Sequence, residues 1–155
     1  MKNLFSVEGK VAVVTGGSRG IGEMIAAGYL ANGAKVYISS RKAEACIATS
    51  ERLMKEYGGE CFAIPADLSS LEGINVFTEE FSKRETKLDI LVNNAGVAWG
   101  APLGEFPEIG WDKVMNTNVK GVFFLTQQLL PFLEKGTSGD DPGYVINIGS
   151  VDGIK

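Results

Sequence analysis

Between Thr15 and Gly22 the chain reads Thr-Gly-Gly-Ser-Arg-Gly-Ile-Gly. Glycines at this density let a backbone turn tightly and come close to a pyrophosphate, while free N–H groups at the start of a helix face the anion. Lys10 to Thr15 (KVAVVT) is a short apolar run that ends at these glycines, and helical spacing begins at Ile21. A strand before the loop and a helix after it are the context that separates a nucleotide-binding turn from an ordinary tight turn. Gly16, Ser18, Arg19, Gly20, Ile21 and Gly22 are therefore the expected dinucleotide contacts.

The next chemistry is at the ribose. An acidic residue about 20 positions beyond the glycines would accept from a 2′-hydroxyl and mark NAD. The second apolar run ends instead at Ser39-Ser40-Arg41, without a carboxylate. Arg41 and Arg19 together suit a 2′-phosphate, through charge-assisted and often bidentate contacts. The plainer alternative makes Arg41 the start of a solvated helix and Arg19 a loop filler. The missing carboxylate favours NADP(H).

The spacing Thr-Gly-x-x-x-Gly-x-Gly resembles the short-chain dehydrogenase/reductase family. Asn93-Asn94-Ala95-Gly96, Asn116-Thr117-Asn118-Val119 and Tyr144-Val145-Ile146-Asn147-Ile148-Gly149-Ser150 resemble it too, in the same order. The resemblance covers the whole chain. Stretches such as AIPADLSS, LDILVNNAG and VINIGSV look like the family's NADPH-dependent β-ketoacyl reductases.

The resemblance implies further cofactor contacts. Asp67 and Leu68 would meet the adenine edge, and Asn94, Ala95, Gly96 and Val119 complete the set. Asp67 also suits a cap for a helix starting at Ser69. The family's reaction is carried by a serine, an asparagine, a tyrosine and a lysine. Ser150 matches the serine and Asn118 the asparagine. Read plainly, Ser150 is a turn serine and Asn118 a buried amide satisfying the helix backbone. The tyrosine is the general acid/base, and a nearby lysine favours its phenolate. Both belong after the fifth strand, and the 155 residues contain no Tyr-x-x-x-Lys. Tyr144 and Lys155 have the wrong order and spacing to replace them. The expectation is an enzyme front portion cut off before its tyrosine and inactive alone. Asp152 departs from the family, which more often has a small apolar residue there.

The elements that must position these residues alternate. Strands are expected at Lys10–Thr15, Lys35–Ser39, Cys61–Pro65, Asp89–Asn93 and Tyr144–Gly149. Helices are expected from Ile21 to Ala31, over 42–57 and 69–83, and as one long helix over 108–134 that Pro131 kinks or ends. Ile21, Met24, Ile25 and Tyr29 would mark the inward side of the first helix, with Gly28 allowing close packing on the sheet. Five strands separated by helices imply an α/β, doubly wound parallel sheet covered on both faces. Analogy with the dinucleotide-binding (Rossmann) fold gives the order 3-2-1-4-5. Trp99 and Trp111 would lie near the site's mouth, as channel lining or packing anchors.

Composition limits the rest. With 155 residues, 45% apolar and 22% charged, the chain suits a single domain, 1–155, with its own core. A net charge of −4 argues against nucleic acid as partner. There is no histidine, and Cys46 and Cys61 lack zinc-ligand spacing, so no metal is expected. The two cysteines read as buried or half-buried thiols in a reducing compartment. No signal peptide is recognisable, and no apolar run reaches the roughly 18 residues of a membrane span. A cytoplasmic oxidoreductase follows, reducing a ketone or 3-oxoacyl group and probing a small carbonyl or alcohol substrate, in homodimers or homotetramers by family likeness. A family member acting on a sugar or polyol is one alternative. A nucleotide-binding module without chemistry is another.

Overall fold

The computed structural model describes residues 5–137 and 139–153. Five strands form one parallel sheet: β1 (Val11–Thr15), β2 (Lys35–Ser39), β3 (Cys61–Ala63), β4 (Ile90–Asn93) and β5 (Tyr144–Asn147). Their order is β3-β2-β1-β4-β5. Val13 pairs with Tyr37 on one side and Leu91 on the other. The helices are α1 (Gly20–Ala31), α2 (Ala43–Tyr57), α3 (Leu71–Ser82), α4 (Glu108–Met115) and α5 (Val122–Gly136). β3 ends at Ala63, short of the expected Pro65. Backbone bonds continue past it, from the Ile64 N–H to the Ile38 carbonyl at 2.9 Å and from the Ala66 N–H to the Ser40 carbonyl at 3.2 Å, so the N–H that Pro65 lacks belongs to the outer edge.

Strand side chains alternate between faces, so each central strand feeds two cores. Val13, Tyr37 and Leu91 meet Phe77 and Phe81 of α3 and Leu125, Leu129 and Leu133 of α5. Ala12, Val14, Val36, Ile38 and Val92 meet Ala26 and Leu30 of α1 and Cys46 and Leu53 of α2. β5 is different. Among the described residues it pairs with β4 alone, and all four of its residues are exposed.

The expectations about the helices need correction in part. The buried side of α1 is Gly22, Ala26 and Leu30, and Ile25 and Tyr29 pack beside it as expected, whereas Ile21 and Met24 are 58% and 64% exposed. Gly22 and Ala26 bring the start of the helix close to the strands, and Ile21 and Met24 are left on the outer side. Gly28 is also outward: a Cβ there would meet nothing within 4 Å. Pro131 does not end α5, which runs on to Gly136. Proline frees the carbonyl four residues earlier, at Gln127. Pro131 and Gln127 both lie on the exposed side, where water can take that carbonyl.

The long helix is also interrupted. Residues Asn116–Gly121 form a π turn between α4 and α5. Among the described residues, no helix is long and apolar enough to cross a membrane.

Candidate functional site

A cleft of about 830 Å³ opens at the carboxyl ends of β1, β2 and β4, where the strand order reverses direction. Open α/β sheets bind ligands at this switch point. The glycine loop forms its floor. Gly16 has φ +65°, a left-handed conformation that favours glycine. A Cβ on Gly22 would lie 2.4 Å from both the Gly16 carbonyl oxygen and the Asn94 amide nitrogen. One on Gly17 would lie 2.7 Å from Ile38. The loop is thus pressed between β2 and the turn after β4. At its end, α1 starts with no side-chain cap. The N–H of Glu23 is the one that reaches the Arg19 carbonyl, so those of Gly20, Ile21 and Gly22 have no helical acceptor. A helix end of this kind suits an anion.

Thr15 joins the two loops, and motif reading overlooked it. Its hydroxyl oxygen accepts the N–H groups of Asn94 (3.0 Å) and Ala95 (2.9 Å) and donates to the Val92 carbonyl at 3.4 Å. The Asn94 amide donates to the Thr15 carbonyl at 2.9 Å and the Gly16 carbonyl at 3.4 Å. The sequence signals for Thr15 are its place at the end of β1 and at the head of the Thr-Gly-x-x-x-Gly-x-Gly spacing.

Twelve of the anticipated cofactor contacts line this cleft: Gly16, Ser18, Arg19, Gly20, Ile21, Gly22, Arg41, Asp67, Leu68, Asn94, Ala95 and Gly96. Val119 does not; it lies in the π turn and is 53% exposed. Arg19 and Arg41 are exposed, and among the described residues neither pairs with a carboxylate. Ser39 and Lys42 also border the cleft. The Ser39 hydroxyl is fully buried and lacks a hydrogen-bond partner. Such a group is costly to leave unpaired. Asp67 accepts from the Ser69 N–H (3.1 Å) and hydroxyl (2.7 Å), whereas the α3 cap is Ser70, which accepts from the Gly73 N–H at 3.1 Å. Asp67 therefore shapes the turn before the helix rather than capping it.

The two anticipated catalytic residues lie outside the cleft lining. Asn118 is exposed, and its amide binds the Val97 backbone both ways: it accepts from the N–H at 2.9 Å and donates to the carbonyl at 2.8 Å. It is not a buried amide serving its own helix; it fastens the loop after β4 to the π turn. Gly121 brings that turn against the loop after β3, where a Cβ would fall 2.2 Å from the Leu68 carbonyl oxygen. Ser150 is exposed after β5, and its hydroxyl accepts from the Asp152 N–H at 3.2 Å. Trp99 packs over Gly110, with Lys113 5.4 Å from its ring centroid, so it is an anchor for α4. Trp111 is 58% exposed.

Cys46 and Cys61 are free and buried. Burial pushes the Cys61 thiol up to about 12, so it is neutral and a poor nucleophile. No group of three or more His, Cys, Asp or Glu suited to a metal occurs among the described residues.

A family model described as short chain dehydrogenase matches residues 10–155. Over 154 residues the chain is 53% identical to the rhamnolipids biosynthesis 3-oxoacyl-[acyl-carrier-protein] reductase of Pseudomonas aeruginosa, covering 99% of this chain and 59% of that protein. The solved Pseudomonas aeruginosa RhlG/NADP active-site complex aligns with a TM-score of 0.93 at 54% identity, covering 100% of this chain and 60% of that one. The L-sorbose reductase of Gluconobacter frateurii, solved with NADPH and L-sorbose, aligns with a TM-score of 0.89 at 27% identity, over 96% of this chain and 55% of that one. The chain thus spans less than two thirds of each of these relatives.

Proposed function

This chain belongs to the short-chain dehydrogenase family, and from that premise we propose that it forms the NADP(H)-binding region of an oxidoreductase that reduces a ketone or 3-oxoacyl group to the secondary alcohol. The observation that carries the cofactor reading is the cleft that joins an uncapped helix start to two carboxylate-free guanidiniums, Arg19 and Arg41. The unpaired Ser39 hydroxyl, buried at the ribose side of the same cleft, fits a polar ligand there. NADP of the RhlG complex supports the same reading.

Bound NADPH would supply the hydride. The chain's own residues bind and orient. The N–H groups of Gly20, Ile21 and Gly22 would bind the pyrophosphate. Arg19 and Arg41 would hold the 2′-phosphate. Asp67 and Leu68 border the adenine, and Asn94, Ala95 and Gly96 form the wall next to the glycine loop. Ser150 donates its hydroxyl to the substrate oxygen as negative charge grows there. Asn118 keeps the loop at Val97 in place.

The 3-oxoacyl substrate is supported by the 53% identical reductase. A sugar substrate is supported by the sorbose reductase, at half that identity. Exposed Val119, Phe123 and Leu130 support a homodimer or homotetramer. Two cores on one sheet support residues 1–155 as one domain, and buried free thiols suit a cytoplasmic setting.

The test is nicotinamide fluorescence titration of the natural-length protein with NADPH and NADH, followed by turnover with 3-oxoacyl thioesters and keto sugars. Tighter NADPH binding and faster 3-oxoacyl turnover are expected. Equal binding of both nucleotides would overturn the cofactor reading, and faster sugar turnover the substrate reading.

A further inference from the structure

The two guanidiniums of the cleft sit on different elements. Arg19 directly precedes α1, and Arg41 stands two residues before α2. Their relative placement depends on what ties the glycine loop to α2. Thr49 supplies such a tie. It lies in α2, is 7% exposed, and its hydroxyl donates to the Ser18 carbonyl at 3.0 Å, across 31 positions of sequence. A hydroxyl inside a helix usually turns back to a carbonyl three or four residues earlier. The next residue, Ser50, does this, donating to the Ile47 carbonyl at 2.8 Å. Thr49 gives its one donor to the glycine loop instead. Arg52, nearly one turn further along α2, adds a second tie, 2.7 Å from the Glu23 carboxylate in the first turn of α1.

The Ser18–Arg19 peptide is planar and trans, so its carbonyl and N–H point in opposite directions. With the Ser18 carbonyl turned onto Thr49, the Arg19 N–H points away from α2. The Ser18 carbonyl oxygen, which would repel an anion, is occupied by the Thr49 hydroxyl. The peptide that carries Arg19 is thereby held in one orientation relative to the helix that carries Arg41.

We infer that Thr49 is a positioning residue for 2′-phosphate recognition. By holding the Ser18 carbonyl it sets Arg19 relative to Arg41, and so favours NADP(H) over NAD(H) without touching either cofactor. This inference rests on the cofactor reading above.

The experiment uses the natural-length protein and two small probes, adenosine 2′,5′-bisphosphate and adenosine 5′-monophosphate, with binding measured by calorimetry. The probes differ only in the 2′-phosphate. Thr49→Val keeps the shape of the side chain and removes the donor. It should weaken the bisphosphate about fivefold, the effect of one neutral hydrogen bond, and the monophosphate less than about twofold. Thr49→Ser keeps the donor and should restore the preference. Thr49→Ala, smaller and compatible with a helix, serves as a second donor-free variant and is read the same way. Equal weakening of both probes would make Thr49 a general packing residue and overturn the inference. So would a preference that survives both donor-free variants, and this outcome leaves the cofactor reading intact. An unaltered protein with no preference for the bisphosphate would overturn the cofactor reading and this inference together.

Discussion

Asn94 donates to Thr15 twice: its N–H to the Thr15 hydroxyl at 3.0 Å, and its side-chain amide to the Thr15 carbonyl at 2.9 Å. Through this pair the end of β1 fixes the turn after β4. The glycine loop and the Asn94–Gly96 wall of the cleft therefore move as one body.

The first prediction concerns that link. Thr15 is 2% exposed. Thr15→Val should leave the Asn94 and Ala95 N–H groups without their acceptor, at a cost of about 1–3 kcal/mol. Thr15→Ser should cost much less. Urea unfolding of the two variants checks this. Equal stability of Thr15→Val and the unaltered protein would mean that water replaces the hydroxyl.

The second prediction concerns the ribose. Arg41→Asp removes a phosphate partner and adds an acceptor for a 2′-hydroxyl. Loss of a charge-assisted contact costs about 1.5–3 kcal/mol, so NADPH should bind roughly ten- to a hundredfold more weakly. NADH should bind as well as before or better. Paired fluorescence titrations decide it, and an unchanged ratio of the two affinities would leave Arg41 as a solvated residue.

The third prediction contrasts two glycines of α1. A Cβ on Gly22 has no room, because one of the atoms at 2.4 Å is the backbone oxygen of Gly16. Gly22→Ala should lower stability and weaken dinucleotide binding together. Gly28→Ala adds a Cβ in open space within a helix. It should raise stability by about 0.5–1 kcal/mol and leave binding unchanged. Thermal melts with and without NADPH test both, and a destabilised Gly28→Ala would contradict the outward placement of that glycine.

The fourth prediction concerns β5. Tyr144, Val145 and Ile146 are 48%, 43% and 39% exposed, on a strand paired along one side. Its other side presents unpaired N–H and C=O groups, a template for another strand. Residues 1–155 expressed alone should self-associate at micromolar concentration. Light scattering with size-exclusion chromatography reads the outcome; a cooperatively folding monomer would count against it. The same preparation should not oxidise NADPH in the presence of a ketone, since it carries no Tyr-x-x-x-Lys.

The parts legible in the sequence were those set by local chemistry. The glycine loop could be read because its strand, turn and helix are contiguous. β2 could be read to the residue, since KVYIS is bounded on both sides by turn formers. The inward side of α1 could not, because Gly22 and Ala26 earn contact through small size, and a hydrophobic pattern gives weight to large residues such as Ile21 and Met24. The roles of Thr15 and Asn118 depend on partners far away in sequence, at Asn94 and Val97. Both positions stand inside local motifs, but those motifs do not say which partners they bind. The π turn has no compositional mark either: NTNVKG reads as ordinary helix.

That turn acts as a phase shifter in a single rod. An α-helix advances each residue by about 100° around its axis, and a π turn inserts roughly one extra residue. Side chains before Asn116 and after Gly121 therefore keep different bearings. Leu125, Leu129 and Leu133 face the sheet while Asn118 reaches toward the loop at Val97. Removing one residue between Asn116 and Gly121 would restore a uniform helix and rotate one half against the other. The rod could then hold its leucine seam or its grip on the loop, but not both.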